Sequence, residues 1–168
     1  MKWTEQLIDT NGITLNVRLA GPDDAPVKVM LHGFPEYSVA WGAVAEQLAD
    51  TYRLILPDQR GFGRSDAPEG VEAYNTKHMV ADLLGLIDQL APNQPIILCG
   101  HDWGASVAYA FAMRHPDRVS KLVIANGVHP ICFQKGLYAG GEQTAASQYM
   151  TVLRAEGSED RLAPNGFE

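Results

Sequence analysis

The stretch Ile96-Ile97-Leu98-Cys99-Gly100-His101-Asp102-Trp103-Gly104-Ala105 decides the fold. The apolar residues after Pro95 read as a strand buried on both faces, and the Ala-rich segment 105–115, stopped by Pro116, reads as a helix. Between them two glycines bracket an acid. Glycines at those places permit a sharp strand-to-helix bend that lifts the central side chain above the sheet. A serine at the centre needs a base to remove its proton, whereas a carboxylate is ordinarily ionised and can displace a leaving group at an sp³ carbon. The residue to watch is therefore Asp102, and the expected substrates are alkylating ones. A helix N-cap or a plain surface acid is the alternative for Asp102, but neither requires the strand before it and both glycines around it.

Working outward, the other elements alternate. Residues 6–8 and 13–19 flank Asn11-Gly12, a hairpin signal, and predict an antiparallel pair at a sheet edge. Short apolar runs at 27–31, 52–56, 95–99 and 121–125 predict strands buried on both faces. Helical spacing of apolar residues appears over 41–48 and 76–90, with Thr76 placed to cap the second. Strand and helix in alternation imply a mostly parallel sheet with helices on both faces. Beyond Pro130 the glycines 136, 140 and 141 break the pattern, and 142–155 reads as one amphipathic helix. The predicted division is a core over 1–130 and the start of a helical cap over 131–168. An apolar run at 122–125 ending the sheet would expose an edge, so self-association through that edge is expected.

The formal net charge of −7, with no basic cluster to offset it, argues against nucleic acid and anionic membrane as partners. The N-terminal residues show no apolar signal region, and no apolar run approaches the ~20 residues of a membrane span, so a cytoplasmic location is expected. The two cysteines, Cys99 and Cys132, offer no metal-ligand spacing, so both read as packing residues and no cofactor or metal is expected.

Three motifs occur in register on predicted strand ends: His32-Gly33-Phe34-Pro35-Glu36, Asp58-Gln59-Arg60-Gly61-Phe62-Gly63-Arg64-Ser65-Asp66, and Gly100 to Ala105. Together they resemble the epoxide hydrolases of the α/β-hydrolase fold. The resemblance covers residues 5–130 and implies an enzyme in which Asp102 opens an epoxide, forms an alkyl ester, and is freed by a His-activated water as a vicinal diol leaves. It places the backbone amides of Phe34 and Trp103 as oxyanion donors, a cis bond before Pro35, and His32, Phe34, Pro35 and Trp103 around the substrate pocket. Cap tyrosines protonate the alkoxide in that family, which makes Tyr149 the candidate and Tyr138 the second. The 58–66 motif is structural in the family, and it lacks the Gly-Lys-Ser/Thr signature of a phosphate loop.

Haloalkane dehalogenases resemble the chain too, but usually carry Asn where Phe34 stands. Fluoroacetate dehalogenases carry Arg where Trp103 stands, so the small-molecule substrate expected is an epoxide, with an alkyl halide as the alternative. A catalytically silent binding or assembly protein is a further alternative. The histidines 32, 78, 101, 115 and 129 all read as structural or exposed, with His101 expected to point away from the nucleophile. The water-activating His and its acid are expected past residue 168, which makes the sequence read as an N-terminal part, truncated after the sixth strand and unable to turn over by itself.

Overall fold

Asn11 and Gly12 both adopt positive φ, 47° and 76°, the geometry of a tight hairpin turn. They join β1 (Thr4–Thr10) to β2 (Ile13–Ala20) antiparallel, in a computed structural model that describes residues 2–158 and 160. The strands β3 (Val27–Leu31), β4 (Arg53–Pro57), β5 (Ile96–His101) and β6 (Val119–Ala125) complete one six-stranded sheet of order β1-β2-β4-β3-β5-β6. Pairs β4/β3, β3/β5 and β5/β6 are parallel, and β2/β4 is antiparallel. This is the mostly parallel α/β sheet that the alternating sequence predicts.

Alternate residues of the central strands supply two separate cores. Val27, Val29 and Leu31 of β3, Ile55 of β4, and Ile96 and Leu98 of β5 pack with Val80, Leu83, Leu86 and Ile87 of α2 (Thr76–Leu90) and Val107, Ala108 and Phe111 of α3 (Trp103–Arg114). Met30, Leu54, Leu56 and Cys99 face the other way, onto Ala45 of α1 (Gly42–Leu48). Period-two alternation with apolar residues on both faces is what a sheet covered on both sides requires. Each fully buried leucine or isoleucine contributes on the order of 1.5–3 kcal/mol to this packing.

Several expectations need correction. β6 is an edge strand whose Leu122 and Val123 are 36% and 48% exposed, so it is not buried on both faces. Asn75, not Thr76, is the N-cap of α2. Cys132 is exposed, whereas Cys99 is a packing residue whose thiol burial pushes above its usual range.

The chain divides into two units, with the boundary between Val128 and His129. In the second unit, α4 (Pro130–Ala139) forms where the glycines suggested a break. Pro130 stands in its first turn and the His129 ring accepts from the Ile131 amide, two helix-start features that outweigh the cost of one interior glycine. The expected single helix is two, α5 (Glu142–Ala146) and α6 (Gln148–Leu153), interrupted at Ser147.

Candidate active site

β3 and β5 lie side by side in parallel register, Leu31 opposite Gly100, and both chains leave the sheet at the same end. Helix α1 follows β3 on one face while α3 follows β5 on the other, so the strand ends flank a point where the connections diverge. Topology therefore brings the turn after β3 against the turn after β5.

Asp102 occupies that second turn with φ 50° and ψ −114°, outside the ordinary regions for a residue bearing a side chain. Two contacts hold it there: its N–H donates to Ala125 O of β6, and its carbonyl accepts from Ala105 N. Gly100 and Gly104 are glycines for lack of room. A Cβ on Gly100 would stand 2.5 Å from Gly104 O, and one on Gly104 would overlap the carbonyl of Leu31.

Although Asp102 is the N-cap residue of α3, its carboxylate makes no capping bond to the helix. It accepts instead from the Phe34 N–H, at 2.9 Å to Oδ1. Gly33 makes this approach possible, since a Cβ there would lie 2.7 Å from Asp102 Cβ and 3.0 Å from its Oδ1. The Phe34–Pro35 peptide is cis. Phe34 and Trp103, the first residue of α3, are large exposed aromatics beside the carboxylate.

His32 is fully buried beneath this turn. Its Nδ1–H donates to Gly33 O at 2.8 Å and its Nε2 accepts from Gln59 N–H at 2.9 Å, which defines a neutral ring. Burial holds its pKa below the usual value, against the pull of the Gly33 carbonyl and of Asp58 and Glu36. Such a ring supports the loop and has no nitrogen left for proton transfer.

His101 does not point away as expected. Its Nδ1 lies 3.1 Å from Glu36 Oε2, which also accepts from Gly33 N–H at 3.3 Å. This pair links the residue before Asp102 to the turn that carries Phe34. Neither Glu36 nor the pairing was foreseen, and the available signal was a carboxylate directly after the His-Gly-Phe-Pro run.

The 58–66 segment is built around Asp58, whose carboxylate accepts from Asn16 Nδ2, Ser38 N and Arg64 N at 2.9–3.0 Å. Burial alone would raise its pKa, but hydrogen bonds from Ser38, Arg64 and Asn16 outweigh that and hold it below the usual carboxylate value. Arg60 pairs with Asp82 of α2 through Nε and Nη2 at 2.6 and 2.7 Å, and this bond raises the guanidinium's pKa. These charges are consumed within the protein, as a structural loop requires.

Tyr149 lies on α6 and Tyr138 on α4, both exposed in the second unit, while Asp102, Phe34 and Trp103 belong to the first. No group of three or more histidine, cysteine or acidic side chains able to hold a metal occurs among the described residues. No described helix is long and apolar enough to cross a membrane.

Residues 26–139 match the family described as alpha/beta hydrolase fold. The chain is 44% identical over 126 residues to the AB hydrolase superfamily protein YfhM of Bacillus subtilis, covering 74% of this chain and 44% of that protein. It is 45% identical over 118 residues to epoxide hydrolase A of Mycobacterium tuberculosis, covering 70% of this chain and 36% of the relative. Among solved structures, one of the epoxide hydrolases found in metagenomes from hot environments superposes with a TM-score of 0.89 at 38% identity, covering 98% of this chain and 55% of that one. The chain thus spans less than half the length of these two curated relatives.

Proposed function

Because the chain belongs to the α/β-hydrolase fold family, we propose that it carries the alkylation half of an epoxide hydrolase. The observation that carries this reading is the Phe34 N–H bond to a carboxylate that makes no capping bond to its own helix. Similarity to proteins named epoxide hydrolase supports the substrate class.

In the proposed reaction Asp102 Oδ2 attacks an epoxide carbon. The ring C–O bond breaks, its electron pair stays on the departing oxygen, and an acid protonates the alkoxide. Tyr149 is our candidate for that acid. Asp102 is then an alkyl ester whose carbonyl oxygen is Oδ1, already beside a donor. Water adds to the ester carbon, negative charge gathers on Oδ1, and the Phe34 amide, with that of Trp103, stabilises it where it forms. Collapse breaks the acyl C–O bond and releases a vicinal diol. That water needs a base, and we assign the role to none of the five histidines. His32 is held by Gly33 and Gln59, His101 by Glu36, and His129 caps α4, while His115 closes α3 and His78 lies along α2. The 168-residue chain is therefore expected to react once and stop.

Intact-mass measurement after incubation with a terminal epoxide tests this. One substrate mass should be added per chain, mapped to Asp102 and absent in Asp102→Ala. An unmodified wild-type chain would support a non-catalytic role. Modification by an alkyl chloride with release of chloride, and none by the epoxide, would move the assignment to a dehalogenase.

A further inference from the structure

The turn that presents the Phe34 amide leaves the sheet after Leu31, so the strand ladder no longer orients it. Something else must, because the Phe34 N–H bond aims the Asp102 carboxylate, and a reacting group misplaced by about 1 Å can cost on the order of 100-fold in rate. On one flank stands the Glu36–His101 pair already described. On the other, Gln59 grips His32 twice: its backbone N–H donates to the ring Nε2 at 2.9 Å, and its side-chain Nε2 donates to the His32 carbonyl at 2.7 Å. Three residues on, the Phe62 ring meets the His32 ring edge-on at 5.2 Å between centroids and the Phe34 ring at 6.2 Å.

Both gripping residues sit on a stiff base. Phe62 N–H donates to Gln59 O and Ser65 N–H to Phe62 O, which closes the loop on itself. Asp58 gathers donors from β2, from Ser38 and from the loop, and Ser65 Oγ donates to Asp58 O. Arg60, between Gln59 and Phe62, is bound to Asp82 of α2 and to Ala73 O. The loop is thereby referenced to the packed core.

We infer that Gln59 and Phe62 form a positioning clamp on the donor turn, with Gln59 the positioning residue that holds the Phe34 amide against Asp102 Oδ1. This rests on the proposed role of Asp102 as the alkylated nucleophile. An amide is the group the position calls for. A glutamate would turn an ionised acceptor toward the His32 carbonyl, and a methionine would keep the length but lose the donor.

The test compares wild type, Gln59→Met, Gln59→Glu and Gln89→Ala. The last removes a comparable side-chain bond, Gln89 Nε2 to Asp9 O, which joins α2 to β1, whereas the site lies on the turns after β3 and β5. Two quantities are read: the rate constant of epoxide adduct formation at saturating epoxide, and the amide proton shift of Phe34. Both Gln59 variants should slow alkylation by about 10–100-fold with little change in half-saturation, and should move the Phe34 resonance. Gln89→Ala should change neither, even where it lowers the unfolding midpoint as much. A Gln59→Met protein that alkylates at the wild-type rate would overturn the clamp, as would one whose slowing is matched by Gln89→Ala. If wild type forms no adduct, the nucleophile assignment fails by itself. The Phe34 resonance then decides the clamp, and an unmoved resonance in Gln59→Met rejects it.

Discussion

Gly33 shows how little space the chemistry leaves. With a Cβ at 33 only 2.7 Å from that of Asp102, an alanine forces the turn and Asp102 apart. The Phe34 bond to Oδ1 is the first contact to lengthen. Gly33→Ala should therefore slow adduct formation by about 10–100-fold, because it moves the attacking carboxylate out of its aim, while costing about 1–3 kcal/mol of stability. Adduct kinetics alongside urea unfolding check this, and unchanged kinetics would mean that the turn does not act on Asp102. Asp102 and Phe34 were legible because each motif is local, a handful of residues around a bend. The His101–Glu36 contact joins positions 65 apart and depends on the side-chain direction at the last residue of β5, which periodicity does not specify. Gln59 was hidden for a similar reason: its partner is a backbone carbonyl, and carbonyls leave no trace in a sequence.

At the scale of elements, the loop after β4 and helix α2 are joined by one buried ion pair. Arg60 and Asp82 are only 4% and 6% exposed, and Asn11 Nδ2 of the first hairpin adds a third hydrogen bond to the same carboxylate, at 2.8 Å. Removing one partner strands the other charge. Arg60→Met should cost about 3–5 kcal/mol, whereas Arg60→Met with Asp82→Leu should recover much of that loss, because no unpaired buried charge remains. Chemical unfolding of both variants measures the difference, and a double variant as unstable as the single one would assign the cost to lost packing. The first-unit elements were readable because strands covered on both faces and the amphipathic α2 write their burial into residue spacing. The second unit was misread where spacing and punctuation conflict. Gly136 looks like a breaker, yet a Cβ at that position would stand 3.2 Å from Gln143 Cγ, so the glycine marks the close approach of α4 and α5. The β6 error has the same root: an apolar run reports the tendency to be buried, while strand order decides whether a neighbour exists to bury it.

For the whole molecule, two buried groups under the site tie global stability to pH with the same sign. The His32 ring is neutral in the folded chain, and protonation would set a second N–H against the Gln59 amide that now donates to it. With its folded pKa held below the usual histidine value of 6.5, the unfolded chain takes up a proton that the folded chain refuses as pH falls past that point. Stability from this group is complete above about pH 7. It declines from about 6.5 down to the folded pKa by up to ~1.4 kcal/mol per pH unit. Asp58 acts in a lower window. Its folded pKa is held below 3.8, so its contribution persists above that value and is lost as pH falls through the folded one. Urea unfolding between pH 8 and pH 3 should show a plateau, a first decline beginning near 6.5 and a second below 3.8. Asn at position 32 cannot take up a proton, so His32→Asn should be less stable at pH 8 but should lose the first decline. A wild-type profile flat between 6.5 and 5, or a decline that survives in His32→Asn, would place the titration elsewhere. Because His32 sits between Gln59 and the Phe34 turn, alkylation by a neutral epoxide should weaken only once pH falls to the lowered folded pKa, where the ring itself takes up a proton, and not in the window above it where stability alone declines. The carboxylate of Asp58 would still hold the loop in place there.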